Sequence, residues 1–181
     1  IPVITTAINH HVSTYRHFHV LKDSVVLRFI VFGAMSYTIS SLQGSLHSLR
    51  TFNYITHFTH WTVSHAHLGL YGFTTMVLFG GIYFALPRLV GRDFKHPGLL
   101  NLHFWTAAAG IIIYAVGLGI GGWLQGEELR NVNGSFEASV RLTMPYLIVR
   151  SVGGTLMLIS HLLMLYNVLS ILRPEKIEVR K

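Results

Sequence analysis

Residues 60–88 read HWTVSHAHLGLYGFTTMVLFGGIYFALPR, and this stretch determines the class of fold that the chain adopts. Its only charged residue is the last one, Arg88. About 20 consecutive, predominantly apolar residues are enough for an α-helix to cross the hydrocarbon core of a bilayer. The stretch lacks the strict apolar–polar alternation of a half-buried strand. We therefore predict a membrane-spanning helix over residues 60–88.

The rest of the chain repeats this pattern on both sides of that helix. Further apolar stretches of spanning length lie at 24–48, 99–125 and 143–172. Residues 1–13 are too short to span, so we interpret them as the tail of a fifth helix and expect the sequence to belong to a longer chain. The predicted fold is an all-α, polytopic transmembrane helical bundle, in which residues 1–181 form part of a single larger membrane domain.

The composition also indicates a lipid environment. Hydrophobic residues make up 51% of the sequence and charged residues 12%, with a mean hydropathy of +0.48, whereas soluble domains carry roughly 25% charge. The absence of cysteine excludes disulfides, iron–sulfur ligation and c-type haem attachment within this sequence. The net charge of +7 comes from basic residues between the apolar stretches, which indicates membrane topology rather than a nucleic-acid partner.

The distribution of basic residues predicts the orientation of the bundle. Ten lie on one side of the predicted spans and four on the other, and the side with the excess is expected to be cytoplasmic. The first side holds Arg16, Lys22, Arg28, Arg88, Arg92, Lys95, Arg173, Lys176, Arg180 and Lys181, and the second holds Arg50, Arg130, Arg141 and Arg150. The 60–88 helix therefore begins at the outer side of the membrane.

Two histidines near the outer end of this helix are the strongest functional signal. An imidazole inside a membrane helix is costly unless it is paired or ligated, and such residues mark function. His65 and His67 are two positions apart, which corresponds to about 200° of rotation on an α-helix. The spacing predicts rings on nearly opposite faces, each able to bind its own cofactor. The alternative is that both rings merely hydrogen-bond to neighbouring helices.

Four motifs carry a resemblance to a known family. HFTHWTVSHAHLGLYGF (57–73), FGGIYFALPRLVGR (79–92), NLHFW (101–105) and PYLIVRSVGG (145–154) resemble the last third of the catalytic subunit of haem–copper oxidases. The similarity is greatest to the C family, the cbb3-type cytochrome c oxidases. It implies a terminal respiratory oxidase of the bacterial inner membrane. Such an enzyme reduces dioxygen to water with electrons from cytochrome c and translocates protons.

The resemblance also implies cofactors and partners. His65 corresponds to the proximal ligand of a high-spin haem b, which makes it the catalytic residue. His67 corresponds to one axial ligand of a low-spin haem b. The family's copper ligands and the second low-spin ligand lie on helices outside this sequence. The implied partners are the remainder of the catalytic subunit and cytochrome c-type electron-donor subunits.

Several further residues receive roles from the same resemblance. His57 and Arg150 correspond to residues near the haem propionates, although an interfacial histidine and a snorkelling arginine are equally compatible with the sequence. Asn9 and Tyr37 resemble members of the family's proton pathway, and interhelical hydrogen bonding is their alternative. His10-His11 is not expected to bind copper, because the pair lies at the cytoplasmic end of its helix.

One position departs from the family pattern. Gln43 stands where similar proteins commonly carry glutamate, close to the proximal histidine. Because glutamine cannot hold a negative charge, we predict a more positive potential for the high-spin haem than in relatives with glutamate. His103, Trp105 and His161 are expected in packing or polar networks rather than as ligands.

Two alternative functions remain open at the level of sequence. A nitric oxide reductase has the same His-x-His pattern, with a non-haem iron in place of copper. A transport or structural membrane protein would use its histidines only as hydrogen-bonding groups.

Overall fold

The computed structural model describes residues 2–173, and within that range the chain is helical and contains no strand. The predictions for Ile1 and for Lys176, Arg180 and Lys181 fall outside the described residues. The helices are α1 (Pro2–Thr14), a 3₁₀ helix (Phe18–Lys22), α2 (Val25–His47), α3 (Arg50–Thr56), α4 (His60–His67), a π-helix (Leu68–Thr75), α5 (Met76–Val90), α6 (Pro97–Glu128) and α7 (Phe136–Leu172).

Four helical segments are long and apolar enough to cross a membrane. They are Val25–His47, Pro97–Glu128, Phe136–Leu172 and the continuous segment His60–Val90, which α4, the π-helix and α5 form together. The prediction of an all-α bundle with four spans is therefore confirmed.

The last span begins seven residues before its predicted start at 143, because a helix cap at Ser135 sets its first turn. The Ser135 hydroxyl accepts a hydrogen bond from the Ala138 amide at 3.1 Å, as a helix N-cap does. Glu137 in the first turn forms an ion pair with Arg141. The third span likewise begins at Pro97, in the first-turn position that proline favours.

A short helix between the first two spans was not predicted. Helix α3 covers Arg50–Thr56, a stretch that was expected to be only a connection. His57 follows it in the loop before α4, outside the spanning helix. Helix α4 then begins at His60, where the Thr59 hydroxyl accepts from the Trp61 amide and the Gln125 side chain accepts from the His60 amide at 2.9 Å.

Helices α6 and α7 pack closely because glycines face each other across their interface. A β-carbon on Gly153 would lie 2.7 Å from the Gly110 carbonyl oxygen and from the Tyr114 amide nitrogen, so only glycine fits. Small residues allow membrane helices to approach in this way. Helix α2 contacts the π-helix similarly, since a β-carbon on Gly72 would lie 3.2 Å from the Ser36 side chain.

Hydrogen bonds between residues at the helix ends agree with the prediction that successive loops lie on alternate sides of the membrane. The Arg92 guanidinium, after α5, donates to the Arg173 carbonyl at the end of α7. At the other end, Arg130 after α6 donates to the Ile55 carbonyl of α3 at 3.1 Å.

A buried polar network lies in the half of the bundle that holds the predicted cytoplasmic ends. The His103 side chain is fully buried and its Nδ1 lies 2.7 Å from the Tyr83 hydroxyl, which also accepts from Asn167. The expected polar network around His103 is therefore confirmed, and Trp105 is 58% exposed with its ring packed edge-on against Phe104 at 5.1 Å between centroids.

Candidate functional site

The His67 ring is held in one tautomer by its own helix. Its Nδ1 lies 2.9 Å from the Val63 carbonyl oxygen, four residues earlier. A carbonyl can only accept, so the proton is on Nδ1 and the lone pair is on Nε2. Anchoring one ring nitrogen in this way is how proteins orient a ligating histidine, because it fixes both the tautomer and the ring plane. His67 is therefore prepared to donate its Nε2 lone pair.

The free nitrogen of His67 faces helix α6. Its Nε2 lies 3.3 Å from the Tyr114 hydroxyl, and the two rings are 4.7 Å apart between centroids with an interplanar angle of 34°. Since Nε2 carries the lone pair, the tyrosine hydroxyl is the donor in this pair. The side chain of His67 thus lies on the α6 side of its helix.

The His65 ring faces a different helix. A β-carbon on Gly44 of α2 would lie 3.4 Å from its Cε1 and 3.6 Å from its Nε2, and the His47 ring of α2 is 6.4 Å away between centroids. The absence of a side chain at Gly44 leaves space beside the ring. The rings of His65 and His67 therefore lie against α2 and α6 respectively, as their spacing predicted.

Three buried polar atoms on His65 and on the end of α2 have no hydrogen-bond partner within residues 2–173. The Nδ1 of His65, the Nε2 of His47 and the Oε1 of Gln43 are all buried without a hydrogen-bond partner among the described residues. Buried polar atoms in native proteins are nearly always paired, so three orphans on neighbouring side chains need an explanation. A bound group that brings ligating or hydrogen-bonding atoms to this position would supply one.

The helix changes its winding directly after the two histidines. Residues Leu68–Thr75 form a π-helix, and the Thr75 hydroxyl donates to the Leu70 carbonyl five residues earlier at 2.9 Å. π-Helical turns are rare and occur frequently at functional sites. Gly69 in this π-helix faces Ser40 of α2, whose hydroxyl oxygen would lie 3.1 Å from a β-carbon there.

The outer end of the bundle carries unpaired positive charge. A cavity of about 390 Å³ is lined by Ser48, Arg50, Asn53, Tyr54, His57 and Arg130. The only ion pair within residues 2–173 is Glu137–Arg141, so neither arginine of this cavity is ion-paired there, and Glu127 lines an adjoining cavity with both of them. The His57 side chain, at the cavity edge, is exposed and packs against Phe58 at 3.9 Å between centroids. This end of the bundle is suited to anionic groups.

Arg150 lies on α7, away from that cavity. It is half-buried and close enough to His60 for an electrostatic interaction. Arg150 is therefore near the start of α4, and His57 lies at the edge of the cavity.

The two residues of the expected proton pathway are not in direct contact. Asn9 is exposed on α1. The residue of α1 that packs on Tyr37 is His10, which follows Asn9 in the sequence, with the two ring centroids 5.7 Å apart. His11 reaches the next residue of α2 and lies 2.9 Å from the Thr38 hydroxyl. Tyr37 also contacts Phe73 of the π-helix at 4.9 Å between centroids. Polar side chains of α1 and α2 thus lead from the predicted cytoplasmic end towards the π-helix.

Several site residues could not be identified from the sequence. Tyr114 is one tyrosine in an apolar span, and only the packing of α6 brings it to His67. His47 lies at the end of α2, and its proximity to His65 depends on the α2–α4 contact.

Taken together, the spans and the two separated imidazoles define an integral membrane protein of the all-α class with two potential ligand positions on one helix. Residues 1–156 match the family model described as Cytochrome C and Quinol oxidase polypeptide I, and the chain belongs to this family.

The relatives of the chain include oxidases and a reductase. It is 34% identical over 156 residues to the cbb3-type cytochrome c oxidase subunit CcoN1 of Stutzerimonas stutzeri, covering 82% of this chain and 33% of the relative. It is 35% identical over 154 residues to cytochrome c oxidase subunit 1 of Rhodobacter capsulatus, covering 81% and 29%. One subunit of a nitric oxide reductase from Stutzerimonas stutzeri is 28% identical over 132 residues, covering 68% and 28%. The chain spans about a third of the length of the curated oxidases that it matches.

A solved structure shares the fold. A chain of a heme-copper terminal oxidase dimer, determined by cryo-EM, superposes with a TM-score of 0.67 at 19% identity, covering 84% of this chain and 27% of that chain. The helical arrangement is therefore that of a haem–copper oxidase bundle.

Proposed function

We propose that this chain is part of the catalytic subunit of a cbb3-type terminal oxidase in a bacterial cell membrane. In the complete enzyme it would take part in reducing dioxygen to water with electrons from a cytochrome c-type subunit, coupled to proton translocation. The observation that carries the proposal is the pair of imidazoles at His65 and His67, which face different helices within a chain of this family.

The residues present fit two haem b groups. His65, whose Nε2 faces Gly44, a position without a side chain, would be the axial ligand of the high-spin haem. His67, with its lone pair on Nε2, would be an axial ligand of the low-spin haem. When bound, the haems supply electron transfer and, where one axial position stays open, oxygen chemistry. The copper would be held by residues outside this chain.

The surrounding residues have supporting roles in this proposal. The Val63 carbonyl orients His67, and Tyr114 would have to release Nε2 when it ligates. His57 and Arg150 would offer hydrogen bonds or positive charge to haem propionates, since charge-assisted bonds to carboxylates are strong. Asn9 and Tyr37 would be members of a proton pathway from the cytoplasmic side, in which Asn9 offers hydrogen bonds and Tyr37 a hydroxyl.

Reduction of nitric oxide is the second candidate, because the chain is also similar to part of a nitric oxide reductase. The complete enzyme containing this chain, purified with its partner subunits, should be assayed for consumption of dioxygen and of nitric oxide. We expect two haems b and copper in each catalytic subunit, with dioxygen as the faster substrate. Non-haem iron in place of copper, with nitric oxide as the faster substrate, would favour the reductase, and absence of haem would contradict both.

Gln43→Glu is expected to lower the midpoint potential of the high-spin haem by about 60 mV, a tenfold change in a one-electron equilibrium. The physical reason is that a negative charge beside His65 stabilises the oxidised iron. A spectroelectrochemical titration measures the shift. The control is Gln125→Glu, which adds the same charge beside the His60 amide instead. An unchanged potential in Gln43→Glu, or an equal shift in the control, would remove Gln43 from the environment of the haem.

Tyr37→Phe is expected to slow steady-state dioxygen consumption about tenfold or more while leaving the haem spectra unchanged, because it removes a hydroxyl needed for proton transfer. The control is Tyr15→Phe, a tyrosine that is 63% exposed after the end of α1. If turnover were unaffected, the hydroxyl of Tyr37 would have no part in proton delivery.

A further inference from the structure

A long apolar groove runs between α2 and α6, away from the two histidines. Its volume is about 790 Å³, and the small side chains of Ala108 and Ala109 form its floor. On α6 it extends from Asn101 to Ile112, which corresponds to about 16 Å at 1.5 Å per residue. This is about half the hydrocarbon thickness of a bilayer, so the groove matches the depth of one leaflet.

The groove has a basic mouth at one end only. Lys22 and Arg28 both line it there, and the Arg28 guanidinium donates to the Asn101 side chain and, at 3.5 Å, to the Lys22 carbonyl. The Nε of Arg28 is buried without a partner, and no carboxylate within residues 2–173 pairs with either cation. Both residues lie on the side that the distribution of basic residues predicts to be cytoplasmic.

We propose that this groove binds an anionic phospholipid of the cytoplasmic leaflet. The phosphate of its head group lies at Lys22 and Arg28, and an acyl chain lies on the alanine floor of α6. The charge and the apolar length are on one continuous surface, in the order in which a phospholipid presents them. The site is separate from the oxidase function and makes the protein sensitive to the lipid composition of its membrane.

The charge at the mouth of the groove favours a lipid over a further helix of the protein. A helix would bury the Lys22 and Arg28 cations, whereas the phosphate of a lipid neutralises them.

Native mass spectrometry of the complete purified enzyme, titrated with phosphatidylglycerol and with phosphatidylcholine, tests the proposal. We expect preferential retention of phosphatidylglycerol. The double variant Lys22→Gln, Arg28→Gln should weaken that retention about 25-fold, about fivefold for each charge removed. The charge control is Lys95→Gln, an exposed lysine between α5 and α6 that does not line the groove.

A second variant tests the apolar part independently of charge. Ala109→Phe fills the floor of the groove and should abolish retention at this site, whereas Ala85→Phe on the exposed surface of α5 should leave it intact. The proposal would be overturned if retention of phosphatidylglycerol were unchanged both in the double variant Lys22→Gln, Arg28→Gln and in Ala109→Phe. A protein helix that covers the groove would produce this result. Equal retention of phosphatidylcholine would also overturn it. Dioxygen consumption by Ala109→Phe serves as the measure of correct assembly.

Discussion

Replacing His65 with alanine in the complete enzyme is expected to reduce dioxygen consumption about a thousandfold or more, because the change removes the protein ligand at the reacting centre. Gly44 lies beside this ring, and the other imidazole nearby, that of His47, belongs to α2 with its ring centroid 6.4 Å away, so it does not occupy the position of the His65 ring. Rates of dioxygen consumption, normalised to the amount of purified enzyme, measure the effect.

The control for His65→Ala is His161→Ala. His161 is also a histidine within a span, but its Nδ1 donates to the Met157 carbonyl on its own helix, and its loss should leave most of the activity. His65→Gly with added imidazole should recover part of the activity, since a free imidazole can occupy the space of the side chain. Retention of activity in His65→Ala would contradict its assignment as a ligand.

Gly153→Ala is expected to lower the free energy of unfolding by about 1–3 kcal/mol, the usual cost of forcing extra volume into a packed interface. The new β-carbon would lie 2.7 Å from the backbone of Gly110 and of Tyr114, so α6 and α7 would have to separate. Because Tyr114 contacts His67, the displacement should also disturb that ring. Thermal unfolding of the purified enzyme and the spectrum of the low-spin haem measure the two effects.

The adjacent glycine provides a matched control. A β-carbon on Gly154 would have its nearest neighbour, the Tyr114 ring, at 3.9 Å, which is ordinary contact. Gly154→Ala should therefore be neutral or stabilise the helix slightly, by up to about 1 kcal/mol. Equal destabilisation by both substitutions would mean that the close approach of α6 and α7 at Gly153 does not determine stability.

The sequence predicted the spans because their cause is local. Each span is a continuous apolar stretch, and the length needed to cross a bilayer is fixed by the bilayer. The opposite faces of His65 and His67 follow from helix geometry in the same way, since two residues correspond to about 200° on any α-helix. These features required no knowledge of which helices are neighbours.

Features that depend on packing could not be predicted. The π-helix at Leu68–Thr75 has no sequence signal separate from that of an ordinary apolar helix. The contacts of Tyr114 with His67 and of Gly44 with His65 depend on which helices pack together.

The early start of α7, in contrast, had a local signal in the sequence. Ser135 is a preferred N-cap residue, and it precedes the first residue of the helix.

Visible spectra of the complete enzyme carrying either His65→Ala or His67→Ala test most directly whether the two imidazoles serve separate irons. Carbon monoxide binds only a reduced haem with an open axial position, so it distinguishes the two haems. His65→Ala should lose the carbon monoxide-sensitive band and retain the low-spin band, and His67→Ala should do the reverse. Loss of one and the same band in both variants would show that the rings do not hold different haems.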